Sequence, residues 1–130
     1  MVIDTSALVA ILLGEEQAES LAAAAAADPR RLVSAFSLLE AGIVMEARKG
    51  DVGGRELDLL LHRLRADVVP LTESQAEVAR SAWRRWGRGR HAAQLNIGDC
   101  AAYALSAVSG EPLLCTGNDF ARTDVVLAPY

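Results

Sequence analysis

The chain predicts an α/β fold, in three layers, with a mainly parallel sheet of four to five short strands covered by helices on both faces. Three observations carry this. Short apolar segments alternate with longer segments of helical period. The helical segments carry their own start and stop residues. The 130 residues contain no internal repeat, no long linker and no second core-sized segment. Strands that alternate with helices in this way are expected to pair in parallel and to be buried on both sides.

The strands are read at residues 1–4, 31–34, 67–71, 113–115 and 125–127. The first helix spans residues 7–13; Thr5 and Ser6 can cap it and Gly14 ends it. Residues 15–27 form a second, with Glu15, Glu16 and Glu19 at its start and the alanine run 22–27 inside it. Asp28-Pro29 stops it. A third starts at Ser34 or Ser37 and runs through Lys49 to Gly50. A fourth covers 53–65, with Leu57, Leu60, Leu61 and Leu64 along one side. Thr72 followed by Gln75 is a capping-box pattern, opening a helix whose apolar face is Val78, Ala79, Ala82, Trp83 and Trp86. Residues 87–94 read as a loop, and 116–123 as a loop or short helix. Between them Asn96 to Ser109 is the strongest helix. Its Ile97, Cys100, Ala101, Ala104, Leu105 and Val108 form one apolar stripe, and Gly110 and Pro112 end it.

Composition excludes several classes. With 52% hydrophobic and 23% charged residues the chain is globular, not disordered. No apolar run approaches the ~20 residues that span a bilayer. Met1 leads directly into Val2-Ile3-Asp4 without a basic segment or cleavage site, so no secretory leader is expected and the cytoplasm is the default location. The two cysteines, Cys100 and Cys115, fall in apolar segments and read as small buried hydrophobes; without clustered histidines they do not suggest zinc. The net charge of −4 argues against nucleic acid, but its distribution does not. Arg80, Arg84, Arg85, Arg88 and Arg90, with His91, crowd into one short stretch. Such a patch is either a solvated helix face or a guide for phosphates.

Four carboxylates sit where structure alone explains them poorly. Asp99 lies in the first turn of its helix, where it either caps the helix or offers charge to a cation. Glu40 has Phe36, Ile43 and Val44 as helical neighbours and no Lys or Arg within a turn. It is either paired at a distance, turned to water, or held for a purpose, because a lone carboxylate among apolar groups costs several kcal/mol or has its pKa raised. Asp4 ends a buried strand and Asp119 follows another; each can also cap a helix or turn. Asp124 competes with Asp119, which comes sooner after its strand. In open parallel sheets, sites form beyond the carboxyl ends of strands. Carboxylates gathered there repel, and a hard divalent cation makes the cluster tolerable. Such an ion suits phosphodiester hydrolysis.

Four blocks now stand in order: Met1-Val2-Ile3-Asp4-Thr5-Ser6-Ala7-Leu8, Glu40 after Ser37, Asn96-Ile97-Gly98-Asp99, and Thr116-Gly117-Asn118-Asp119-Phe120. Together they resemble a PIN domain, and more narrowly the VapC-type toxin ribonucleases of bacterial toxin–antitoxin pairs. Each block is weak alone; the ordered set is specific and covers essentially the whole chain. The resemblance implies a single PIN-like domain over residues 1–130. It implies that Asp4, Glu40, Asp99 and Asp119 form a catalytic acidic site for Mg²⁺ or Mn²⁺; the chemistry of such a site then suggests Asp4 and Asp99 as direct ligands, with Glu40 and Asp119 completing the shell through waters or orienting the attacking water. It further implies endoribonuclease activity on structured RNA, a homodimer, and neutralisation by a small cognate antitoxin, in a hetero-oligomer. Many members have another acidic residue two places before the position of Asp119; here it is Gly117, so no fifth ligand is carried over.

Thr5, Ser6 and Thr116 have hydroxyls that could hold a ligand or the scissile phosphate, and each is also an ordinary cap. Arg84, Arg85, Arg88, Arg90 and His91 could track RNA phosphates. His91 is either a general acid or an ordinary loop histidine. A haloacid dehalogenase-type enzyme would need an Asp at Ser6, and a response-regulator receiver a late Lys, whereas the only lysine is Lys49. A flap-type DNA nuclease would share the acidic site but needs more chain to grip a duplex. The competing class is a module on the same fold that binds RNA or a partner without cutting.

Overall fold

The structure is a computed structural model that describes all of residues 1–130. Its sheet has four strands, β1 (Val2–Ile3), β2 (Leu32–Ser34), β3 (Asp67–Val69) and β4 (Leu113–Leu114), in the order β3-β2-β1-β4 and parallel throughout. Six helices connect them: α1 (Thr5–Leu13), α2 (Ala18–Ala27), α3 (Ala35–Lys49), α4 (Asp51–Leu64), α5 (Glu73–Trp86) and α6 (Ile97–Ser109). Each of the three crossovers between strands carries two helices.

Strand alternation sorts the core into two halves. Ile3, Val33 and Leu114 pack with Leu8 of α1, Leu21 of α2 and Leu57 and Leu61 of α4. Their neighbours Val2, Leu32 and Leu113 point the other way, onto Ala82 of α5 and Cys100, Ala102, Tyr103 and Leu105 of α6. This double burial explains why strands of two or three residues suffice in β1, β2 and β4: every side chain there is buried, so apolar burial compensates for a short ladder. β3 is the exposed edge, with Val68 41% accessible. No helix is long and apolar enough to cross a membrane.

The chain steps from β1 to β2 to β3, then returns to the far side of β1 as β4. The order of the strands therefore reverses between β1 and β4, which opens a crevice at their carboxyl ends. Asp4 leaves β1 there, and the segment after β4 passes it.

Several boundaries differ from those the sequence suggests. Asp4 itself caps α1, accepting from the Ser6 N–H, so that helix starts at Thr5 and not at residue 7. The second helix begins at Ala18; residues 15–17 form a turn. Ser34, not Ser37, caps α3. α4 begins at Asp51, with Gly53 inside it, because that helix crosses α3 closely: a methyl group on Gly53 would lie 2.3 Å from the Met45 carbonyl oxygen. The strand expected at residues 125–127 is a single parallel bridge between Leu113 and Leu127, since β4 is too short to offer an outer partner more. The stripe on α6 is also incomplete. Ile97 and Val108 are 72% and 54% exposed, while Gly98, Ala102, Tyr103 and Ser106 are buried. The middle of α6 is enclosed by α5, α3 and the sheet, and its ends project beyond them.

Candidate active site

The four carboxylates reach the crevice from four separate segments. Asp4 arrives at the end of β1, Glu40 from the second turn of α3, Asp99 from the first turn of α6, and Asp119 from the loop after β4. Asp4 is 3% exposed. Its Oδ2 accepts from the Ser6 N–H at 2.9 Å and the Ser6 hydroxyl at 2.6 Å, and its buried Oδ1 has no partner. The Ser6 hydroxyl in turn accepts from the Thr116 N–H at 3.0 Å, so it joins the ends of β1 and β4. The Thr5 hydroxyl donates to Glu40 Oε2 at 2.6 Å. Thr5 and Ser6 thus hold carboxylates in place, while capping α1 falls to Asp4.

Asp99 does two things at once. Its Oδ2 accepts from the Asn96 N–H at 2.8 Å, and Asn96 Oδ1 accepts from the Asp99 N–H at 2.9 Å, a complete capping box. Only one carboxylate oxygen is used, and the other is left for the crevice. Glu40 approaches so closely that a methyl group on Gly98 would stand 2.3 Å from Glu40 Oε2. Gly98 is therefore part of the site; its place in the Asn96-Ile97-Gly98-Asp99 block was the only signal, and its role is visible only once α3 and α6 are packed. Asp119 is exposed at the rim, with no capping bond of its own.

The electrostatics follow. Burial, opposed by the Asn96 hydrogen bond and reinforced by the charges of Asp4, Asp119 and Glu40, pushes the Asp99 carboxyl up to about 6. Burial also raises Asp4, against the pull of the Ser6 hydrogen bonds and with the help of Glu40. Cys115, below the site, is pushed up to about 12 by burial and then by Asp4, Asp99 and Asp119. It and Cys100 are buried free thiols. Asp124 points elsewhere. Its carboxyl is held below the usual range by the Tyr103 hydroxyl and Arg85, so the acidic position past β4 belongs to Asp119.

No three Asp, Glu, His or Cys side chains enclose an ion by themselves. Mg²⁺ does not require it, since that ion keeps several waters and takes one or two carboxylates. The unpartnered Asp4 Oδ1, near enough to Glu40 and Asp99 for their charges to interact, fits such an ion.

The arginine patch divides. Arg85 pairs with Asp124 at 3.0 Å, Arg90 stacks on Trp83 with 4.3 Å to the ring centroid, and Arg80 pairs with Glu77. Arg84 and Arg88 make no ion pair. His91 is built into its loop: Nδ1 accepts from the Ala93 N–H at 3.0 Å, and the ring stands edge-on to Trp86.

Two predictions come from this geometry. An acid whose folded pKa is raised loses stability as pH rises through the interval between its unfolded and folded values, here about 4 to 6 for Asp99. The metal-free protein is therefore expected to melt higher at pH 5 than at pH 7, and saturating Mg²⁺ to reduce that difference. Asp99→Asn keeps the acceptor for Asn96 and removes the charge. It should stabilise the metal-free chain at pH 7 by about 1–2 kcal/mol after screening at the rim, a Tm rise of a few degrees by calorimetry. Second, Gly→Ala in a helix ordinarily gains up to about 1 kcal/mol. Gly98→Ala should instead lower Tm and weaken Mn²⁺ binding at least tenfold by calorimetric titration, and Glu40→Ala in the same chain should restore Tm.

The PIN domain family model matches residues 1–126. Ribonuclease VapC of Mycolicibacterium smegmatis is 58% identical, with 96% of this chain and 97% of that one covered. Ribonuclease VapC30 of Mycobacterium tuberculosis is 55% identical, over 96% and 95%. Among solved structures, VapC20 of Mycobacterium tuberculosis, a sarcin-ricin loop cleaving toxin, superposes with a TM-score of 0.77 at 20% identity, covering 98% of each chain. A toxin–antitoxin complex from Klebsiella pneumoniae gives 0.75 at 18% identity, covering 99% of this chain and 97% of that one. With its four carboxylates at the switch point of a parallel sheet and these likenesses across its length, the chain belongs to the PIN-domain family, among the VapC ribonucleases.

Proposed function

We propose that this chain is the toxin of a toxin–antitoxin pair, a divalent-metal-dependent endoribonuclease whose catalytic residues are Asp4, Glu40, Asp99 and Asp119. The observation that carries this reading is the unpartnered, buried Asp4 Oδ1, with the Glu40 charge acting on Asp4 and the charges of Asp4, Glu40 and Asp119 all acting on Asp99. Burial of that charge without a partner is costly, and a resident cation offsets it. Asp4 and Asp99 would hold Mg²⁺ or Mn²⁺ directly, each through the oxygen that its hydrogen bonds leave free. When bound, the ion supplies charge neutralisation at the phosphoryl oxygens and a more acidic water. Glu40, fixed by the Thr5 hydroxyl, can accept the proton of the attacking water through its other oxygen. Asp119 at the rim would hold a further water. Arg84 and Arg88, unpaired beside the loop that leads to Asp99, are the side chains best placed for RNA phosphates; Arg85, Arg90 and His91 are already engaged.

The homologues' names and the Klebsiella complex support RNA as substrate and a small antitoxin protein as partner. A homodimer has its support in an exposed apolar face beside the site. Leu39 and Ile43 of α3 and Ile97 of α6 are 59%, 62% and 72% exposed. Ile97 also lines a groove of about 700 Å³ together with Phe36, Trp83 and Ala101, rimmed by Arg80, Arg84 and Arg90. A patch of this kind marks an interface.

Purified protein incubated with total bacterial RNA should cut it in the presence of Mg²⁺ or Mn²⁺ and not with EDTA. Asp99→Asn should lower the rate at least 100-fold although the chain is no less stable. RNA binding that survives both without any cleavage would favour the non-cutting module. For the dimer, sedimentation should show two copies for the unsubstituted chain and one for Leu39→Glu/Ile43→Glu.

A further inference from the structure

We propose that Asp124 is a positioning residue for Asp119, acting as a clamp between the segment after β4 and the helix that carries Asp99. This rests on the nuclease reading above. Asp119 itself makes no capping bond, and it opens a short 3₁₀ turn, Phe120–Arg122. The turn is tied on both sides. Phe120, 3% exposed, plugs into the core against α6. Two residues past the turn, Asp124 uses each carboxylate oxygen on a different helix. Oδ1 accepts from the Tyr103 hydroxyl at 2.7 Å, and Oδ2 from Arg85 Nη2 at 3.0 Å. Tyr103 is four residues beyond Asp99 and so lies one turn along the same face of α6. The bond to Tyr103 therefore sets the segment holding Asp119 relative to Asp99, although Asp124 is not itself in the acidic cluster. Arg122 Nη1 adds a tie to the Ala92 carbonyl at 3.0 Å.

The two bonds are unequal. The Arg85 pair is half-exposed on both sides and screened by water, whereas Tyr103 is a largely buried residue whose hydroxyl makes a part-buried bond to a charge. The Tyr103 bond should dominate. Asp124→Asn, which keeps an acceptor for that hydroxyl, should behave almost as the unsubstituted chain.

The test is Mn²⁺ binding to the purified chain, measured by titration calorimetry without RNA. Asp124→Ala should weaken binding about tenfold, Tyr103→Phe several-fold, and Asp124→Asn no more than about twofold. A purely structural contribution would lower Tm and leave the Mn²⁺ constant of the folded protein unchanged. In an Asp119→Asn background, Asp124→Ala should cost nothing further, because the side chain it positions is no longer a carboxylate. Equal loss with and without the Asp119 carboxylate, or Mn²⁺ affinity within twofold of the unsubstituted chain in both Asp124→Ala and Tyr103→Phe, overturns the clamp alone. No Mn²⁺ binding by the unsubstituted chain overturns the nuclease reading and the clamp with it.

Discussion

Repulsion among carboxylates that the fold forces together is the constraint on which the rest of this structure depends. A sheet whose strand order reverses beside its first strand leaves a crevice where loops part to opposite faces, and four acidic side chains are delivered into it. Placing Asp4 there nearly dehydrated raises the free energy of its charge, and Asp99 feels three like charges besides its own burial. The protein holds this arrangement with short hydrogen bonds from Thr5, Ser6 and the Asn96 N–H, each of which occupies one oxygen of a carboxylate and leaves the other open. Local stability is traded for a crevice that gathers negative charge. This is why the site residues double as structural parts: Asp4 is a cap, Asp99 is half of a capping box, and the charges stay aligned only while α1 and α6 start where they do.

Packing around the site is correspondingly exacting. Gly98 has no room for a methyl group beside Glu40, and Gly53 none beside α3. One glycine brings α6 onto α3 and the other brings α4 onto it, so α3 is gripped from both sides and presents Glu40 at a fixed height. The far rim is looser by construction. Asp119 stands on a loop without a cap of its own, and its order comes from neighbours in sequence that reach the core or the helices.

The arginine-rich stretch shows that composition does not say where side chains point. A run of basic residues left a solvated face and a phosphate guide both open, and side chains at a helix end have many directions to point. Arg85 turns to Asp124, Arg90 lies on Trp83, and His91 serves its own loop; Arg84 and Arg88 keep their charge for solvent or a ligand. The same limit applies to apolar residues. Ile97 fits the stripe of α6 by spacing, yet it sits at the start of the helix, 72% exposed, and belongs to a surface and not to the core.

What the sequence alone determined is local and periodic. Alternating short apolar runs and amphipathic segments settled the α/β class and the parallel sheet, because chemistry at spacing two or 3.6 decides which face is buried. Gly14 and Gly110 ended their helices as read, since both adopt a left-handed backbone, and four carboxylates could be picked out by their awkward surroundings. Only the tertiary structure decided the rest. Whether Asp119 or Asp124 joins the cluster, whether Thr5 and Ser6 cap a helix or hold an acid, and why residue 98 is glycine all depend on contacts between segments far apart in the chain. Such contacts leave no periodic trace, because the free energy that selects them comes from packing and desolvation in the assembled fold.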